Sequence, residues 1–242
     1  MNYGATRARE FADEEGLNKY IAGVFGWTFL GLFVTAITVG FFIAGLIFSP
    51  TVANVLAFSL EYMLFLSIAQ LGLVFMFSRK IATMKPLNAK LLYLFYAMSN
   101  GIFFTWVALS FNAQILVLSF LITAVSFGSM ALYGMFTKSD LTSMGNILKM
   151  AVIGLIISIV ANMFIGSSTL DLIICVAGLF IFLGLTVHDT KKIKDFYYSS
   201  VERGEESSDL TKNLAIYSAL GLYLNFINIF MFILRLLSRG DD

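Results

Sequence analysis

Seven long apolar runs, at residues 21–48, 53–77, 87–110, 113–135, 147–165, 172–188 and 214–237, constrain this chain more than any other feature. A helix that crosses a bilayer needs about 20 predominantly apolar residues, a length every run but the sixth supplies. The sixth is short and has to stand nearly upright or borrow from its flanks. The chain is 59% hydrophobic and 13% charged, whereas a soluble domain runs near 45–50% apolar and about 25% charged. The predicted fold class is therefore an all-α integral membrane protein with seven transmembrane helices. Residues 1–20 are expected to form a frayed cytoplasmic tail with one interfacial helix at most, 21–237 the seven-helix domain and 238–242 a C-terminal tail. The first stretch is mixed in charge and lacks the apolar core and small-residue cleavage site of a signal peptide.

The basic residues assign the sides. Arg7, Arg9 and Lys19 precede the first run, and Arg79, Lys80, Lys85 and Lys90 lie between the second and third. Lys138 and Lys149 flank the fourth-to-fifth link, and Lys191, Lys192, Lys194, Arg203 and Lys212 lie between the sixth and seventh. The remaining links carry none. Lys and Arg concentrate on cytoplasmic loops, so the expected N-terminus is cytoplasmic and the expected C-terminus, after seven crossings, is outside. Arg235 and Arg239 oppose that last step, although Asp241 and Asp242 follow them. A seventh segment that re-enters and returns to the cytoplasm is the alternative.

A charged side chain inside the hydrocarbon costs roughly 2.5–3.5 kcal/mol on insertion scales, so each needs a partner, a water-filled cavity or neutralisation. Glu61 lies near the middle of the second run, with Gln70 further along and Arg79 at its mouth. At about 100° per residue, Glu61 and Arg79 share a face of one continuous helix and Gln70 points away from both. Asp189 ends the sixth run, between His188 and the basic Lys191, Lys192 and Lys194. It is either a boundary carboxylate paired with those lysines or a gate. In the seventh run Tyr217, Gly221, Asn225 and Asn228 recur at helical spacing as one polar stripe. Such a stripe is either interhelical glue, at about 0.6 kcal/mol per contact, or the lining of an aqueous path through a central helix surrounded by six others. Gly128, Ser129 and Gly134 in the fourth run, and Gly23, Gly26, Gly31 and Gly40 in the first, suit close helix packing.

Several chemistries are excluded. A retinal protein needs a mid-helix lysine, and Lys212 stands only at the mouth of the seventh run. One histidine, His188, cannot build a zinc site or an H-E-x-x-H protease. No G-x-S-x-G elbow, phosphate loop or Rossmann glycine pattern is present. Arginine-rich voltage sensors and potassium-type carbonyl filters are missing. Cys175, the single cysteine, leaves no intrachain disulfide or thiolate cluster. A net charge of +1 argues against nucleic acid as a partner. The reading is of a protein that is not an enzyme and needs no cofactor. Its carboxylates and amides suit cation passage or proton sensing, being the hard oxygen ligands that calcium prefers.

Stretches from the second run to the last bear a resemblance. They are AQLGLVFMFSRK at 69–80, SNG at 99–101, FLITAVSFGSMALYGMFTKSDLTSMG at 120–145, GLTVHDTKKIK at 184–194 and ALGLYLNFINIFMFILRLL at 219–237. In this order and combination the chain resembles the Bax inhibitor-1 family, also called the transmembrane Bax inhibitor motif family. The resemblance implies a cytoplasmic N-terminus, six helices around a central C-terminal helix, and a pH-sensitive calcium leak channel. Bacterial members lie in the inner membrane, and the TKSDLTSMG stretch is similar to theirs. In the bacterial pattern two aspartates near the cytoplasmic mouth share a proton, and an arginine at the end of the second span latches onto them. By resemblance Asp189 is the first aspartate and Arg79 the latch.

The second aspartate is absent, because the family's L-Y-L-D-F-I-N reads L-Y-L-N-F-I-N here and places Asn225 at that position. Gln70 likewise stands where relatives often carry Glu. Two close carboxylates cannot both ionise easily and titrate as a unit. With Asn225 in the pair, the resemblance implies a proton switch that is weakened and moved to more acidic pH. The expected gate is thus Asp189, Asn225 and Arg79, with Glu61, Gln70, Asn228 and Tyr217 as candidates for the ion path. Calcium is the expected transported ion, and the bilayer the expected surroundings. The alternative is a non-conducting regulator that binds a membrane protease or another membrane protein through its tail and its acidic segments at 13–15 and 202–209.

Overall fold

The computed structural model describes the backbone of residues 3–239 and the side chains of residues 14–239. Its regular structure is entirely helical among the described residues: α1 (Tyr3–Phe48), α2 (Pro50–Glu61), α3 (Met63–Lys80), α4 (Pro86–Ser110), α5 (Ala113–Phe136), α6 (Thr142–Ile165), α7 (Ser168–Glu202) and α8 (Asp209–Ser238). Seven of these, all but α2, are long and apolar enough to cross a membrane. Their surfaces carry large apolar side chains, with Phe48 82% and Phe164 87% exposed among many others. Soluble proteins rarely expose apolar patches beyond a few hundred Å². The chain is an all-α integral membrane protein, as its apolar runs require.

The two prolines both stand at helix starts, Pro50 in α2 and Pro86 in α4, where the missing N–H costs nothing. Gly166 closes α6 at φ 67°, a left-handed conformation that glycine adopts freely, and its N–H reaches the Asn162 carbonyl.

Helix boundaries depart from the apolar runs in three places. First, α1 begins at Tyr3 rather than near Ile21. The polar stretch is rich in Ala, Arg, Glu and Lys, which favour helix as strongly as they oppose burial in lipid, so hydropathy marks the membrane boundary and not the helix start. Second, the second run is not one helix. It breaks at Tyr62 (φ −101°, ψ 19°), leaving Glu61 as the last residue of α2. Just before the break the Ser59 hydroxyl donates to the Leu56 carbonyl at 2.7 Å. The shared face of Glu61 and Arg79 therefore does not carry over, because it assumed unbroken helical phase. Third, the short sixth run lies inside α7, a 35-residue helix that continues through its lysines to Glu202. α8 is likewise unbroken over 30 residues, about 45 Å, so the seventh segment has no re-entrant turn.

The chain forms two compact units, one of residues up to Ser110 with Ile193–Leu220 and one of Phe111–Lys192 with Gly221 onward. In the first, α1 packs along α4. Thr35 donates to the Ala97 carbonyl at 3.0 Å, Tyr93 to the Trp27 carbonyl at 2.8 Å, and a Cβ at Gly101 would lie 2.4 Å from Thr38. The start of α8 is anchored here by Asn213, whose Nδ2 donates to the Ile81 and Met84 carbonyls at 2.9 and 2.7 Å. In the second, Leu155, Ile174, Cys175 and Phe232 form a core, and Phe127 meets Phe226 edge-on at 5.4 Å. Burial runs round α8 rather than along one stripe, taking in Ala219, Leu220, Leu222, Tyr223, Asn225 and Phe226.

Candidate functional site

The second unit gathers one set of polar groups around a single turn of α7. Asp189 Oδ2 accepts a hydrogen bond from Asn225 Nδ2 of α8 at 2.8 Å, and Asp189 Oδ1 lies 3.0 Å from His188 Nδ1. Asn225 is only 4% exposed, and the Asp189 side chain remains 29% accessible. Both carboxylate oxygens are thus engaged, one by an amide with no titratable proton and one by an imidazole.

Glycines let three helices approach this turn. A Cβ at Gly134 of α5 would stand 2.5 Å from the Val187 carbonyl oxygen and 3.0 Å from Thr190 Cβ. At Gly145 of α6 a Cβ would stand 2.1 Å from His188 Nε2. Gly221 of α8 faces Asp189 Oδ2, its Cβ position 3.8 Å away. Packing this close is how membrane helices associate without a hydrophobic driving force between them. Thr190 adds a fully buried hydroxyl with no hydrogen-bond partner among the described residues.

The α5–α6 link lies against the same turn, since the Lys191 ammonium donates to the Ser139 carbonyl. Next to Ser139, Asp140 accepts from the Thr142 hydroxyl at 2.7 Å and from its N–H at 2.9 Å. Those bonds hold the Asp140 carboxyl below the usual carboxylate range, with the Lys191 charge adding to the effect.

The other sequence candidates make different contacts. Asn228 donates to the Leu224 carbonyl of its own helix at 2.8 Å and is not joined to Asp189. Tyr217, half-buried, belongs to the first unit, as do Arg79, Glu61 and Gln70. Arg79 is exposed and sits over the Phe75 ring, 4.3 Å from its centroid. Glu61 is exposed at the α2–α3 break. Gln70 donates to Ser99 of α4 at 3.2 Å.

A second ionic site lies at the far end of α7. Asp171, in its first turn, pairs with both Arg235 and Arg239 of α8, and Arg239 also donates to the Ser168 carbonyl at 3.0 Å. This places the end of α8 beside the start of α7, the antiparallel arrangement that successive crossings produce. It also accounts for two arginines at an end otherwise free of basic residues, because their charge is opposed at once by a carboxylate. Sequence patterning did not single out Asp171, Gly145 or His188 as parts of a site. The available signal was the spacing of Arg235 and Arg239, four apart on one helical face, near a link whose acid is Asp171.

Comparison with known proteins adds the lineage. A family model described as "Inhibitor of apoptosis-promoting Bax1" matches residues 17–242. The inner membrane protein YbhL of Escherichia coli (strain K12) is 35% identical over 225 residues, covering 91% of this chain and 92% of its own. The uncharacterized protein RP147 of Rickettsia prowazekii (strain Madrid E) is 32% identical over 237 residues, covering 98% and 96%. An uncharacterized membrane protein of Streptococcus pyogenes serotype M3, SpyM3_0260, is 28% identical over 228 residues, covering 93% and 95%.

Proposed function

The chain belongs to the Bax inhibitor-1 family, and from that premise we propose that it is a calcium-permeable leak pathway of a bacterial inner membrane, gated where α7 meets α8. The observation that carries the proposal is the 2.8 Å bond from Asn225 Nδ2 to Asp189 Oδ2. It ties the carboxylate to the buried helix α8 within a turn where α5 and α6 also approach α7. Separating that pair frees an oxygen ligand of the hard type that suits calcium. The N-terminus is cytoplasmic in this reading, on the distribution of lysines and arginines between the links. Arg79 serves as the latch by family resemblance.

The switch is weak, because the amide of Asn225 neither gains nor loses a proton. The carboxylate of Asp189 meets only that amide and the neighbouring His188 ring among the hydrogen bonds of the described residues. Calcium efflux from proteoliposomes over pH 5 to 8 tests this. The wild-type protein is expected to conduct with a shallow pH response, and Asn225→Asp, which restores a carboxylate pair sharing a proton, with a steep one. An equally steep wild-type response overturns the weakened switch. Absence of flux above the lipid background in both proteins overturns the channel and leaves a non-conducting regulator of a membrane protease or another membrane partner.

A further inference from the structure

Within the first unit, α2, α3 and α4 enclose a cavity of about 330 Å³ that no part of the proposed gate uses. We infer that it is a lipid site, occupied by one acyl chain of a bilayer phospholipid held against the bend at Tyr62. Its volume falls at the lower end of the roughly 300–1,000 Å³ range of small-molecule sites.

Two hydrogen-bonded pairs stitch the cavity walls together. Trp106 Nε1 of α4 donates to Ser59 Oγ of α2 at 3.0 Å, and Gln70 Nε2 of α3 donates to Ser99 Oγ of α4 at 3.2 Å. Both serines pass their own protons to backbone carbonyls, Ser59 to Leu56 and Ser99 to Tyr96. The hydroxyls and the indole N–H are therefore already engaged within the protein. Ser67, the remaining serine of the wall, donates to the Met63 carbonyl at 2.8 Å, and the other lining side chains are apolar, which favours an apolar occupant over water.

Continuity with the membrane surface identifies that occupant. Phe58 and Phe95 line the cavity and are also 58% and 55% exposed, so its rim merges into the apolar outer surface of a chain that lies in lipid. Hydrocarbon is what surrounds that rim. The cavity spans the break at Tyr62, with Phe58 and Ser59 of α2 on one side of it and Met63 and Leu66 of α3 on the other. Bent backbone at membrane depth is tolerated where protein or a cavity lies behind it.

Tryptophan fluorescence tests the assignment, since the chain has two tryptophans. The Trp27→Phe variant leaves Trp106, in the cavity wall, as the sole reporter. It is reconstituted in bilayers of dioleoyl phosphatidylcholine containing increasing fractions of the same lipid brominated in mid-chain. Trp106 is expected to be quenched. In the same background Ala69→Phe or Ser67→Phe, which fill the cavity, should remove most of the quenching. Leu64→Phe, at an exposed position outside the cavity wall, should leave it unchanged. Gel filtration and circular dichroism establish that each variant is folded, and either filling variant suffices. Undiminished quenching in a folded filling variant overturns the inference, since Trp106 would then report bulk lipid alone. Absence of quenching in the parent overturns it as well.

Discussion

Asn225 donates its amide hydrogen to Asp189 Oδ2 across 2.8 Å, so the carboxylate of α7 is met on α8 by a neutral group. Replacing Asn225 with Leu removes the donor from Asp189 Oδ2, whose side chain is 29% accessible. A stranded acceptor costs about 1–3 kcal/mol when fully buried, so the loss falls toward the lower end of that range. Thermal unfolding in detergent micelles should show Asn225→Leu less stable by that order, with Asn225→Gln intermediate.

Gly134→Ala should be more damaging than its single added carbon suggests. The new Cβ would stand 2.5 Å from the Val187 backbone carbonyl, which cannot swing aside as a side chain can. Overpacking of this kind costs about 1–3 kcal/mol. Gly154→Ala, at a position where an added Cβ meets nothing within 4 Å, is the matched control and should melt close to wild type.

The pairing of Asp171 with Arg235 and Arg239 predicts coupled effects. Asp171→Asn leaves two guanidinium groups facing one another with no carboxylate between them, and should destabilise the end of α8. The groups are part-exposed, so the loss is expected near the lower end of the about 1.5–3 kcal/mol given for hydrogen bonds to charged groups. A double-mutant cycle with Arg235→Gln should return a coupling energy clearly above zero. Additive effects would show the pair to be energetically idle.

The α5–α6 link should loosen in acid. Asp140 is held below its ordinary range by the Thr142 hydroxyl and N–H, so the folded state binds its proton less readily than the unfolded chain. The stabilisation is complete above the unfolded carboxylate value of about 3.9 and is lost as pH falls through the lower folded value. Hydrogen exchange should show the Thr142 amide better protected in wild type than in Asp140→Ala at neutral pH. The difference should vanish in strong acid.

The apolar runs were enough to count the seven long apolar helices, because backbone in lipid must be satisfied within a helix and about 20 apolar residues are needed to match the bilayer. Charge placement and the polar stripe pointed to Asp189 and Asn225, and the structure brings those two together. Three things were not legible. The helical start of α1 was hidden because charged residues oppose membrane burial without opposing helix. The break at Tyr62 was hidden because the stretch around it carries neither Pro nor Gly. The anchoring of Arg235 and Arg239 by Asp171 was hidden because the partners lie 64 and 68 residues apart in the chain.

By itself, then, the sequence determined the membrane class, the number of long apolar helices and the polar stripe of the last one, properties that follow from composition and period along one chain. The pairing of Asn225 with Asp189 came from the family resemblance. The tertiary structure decided which polar groups meet. It set Asn228 back onto its own helix, turned Gln70 to Ser99, and aimed Gly134 and Gly145 at the turn that carries His188 and Asp189. Contacts between helices depend on their rotation and separation, and small residues at the crossing fix both in a way that no single helix records.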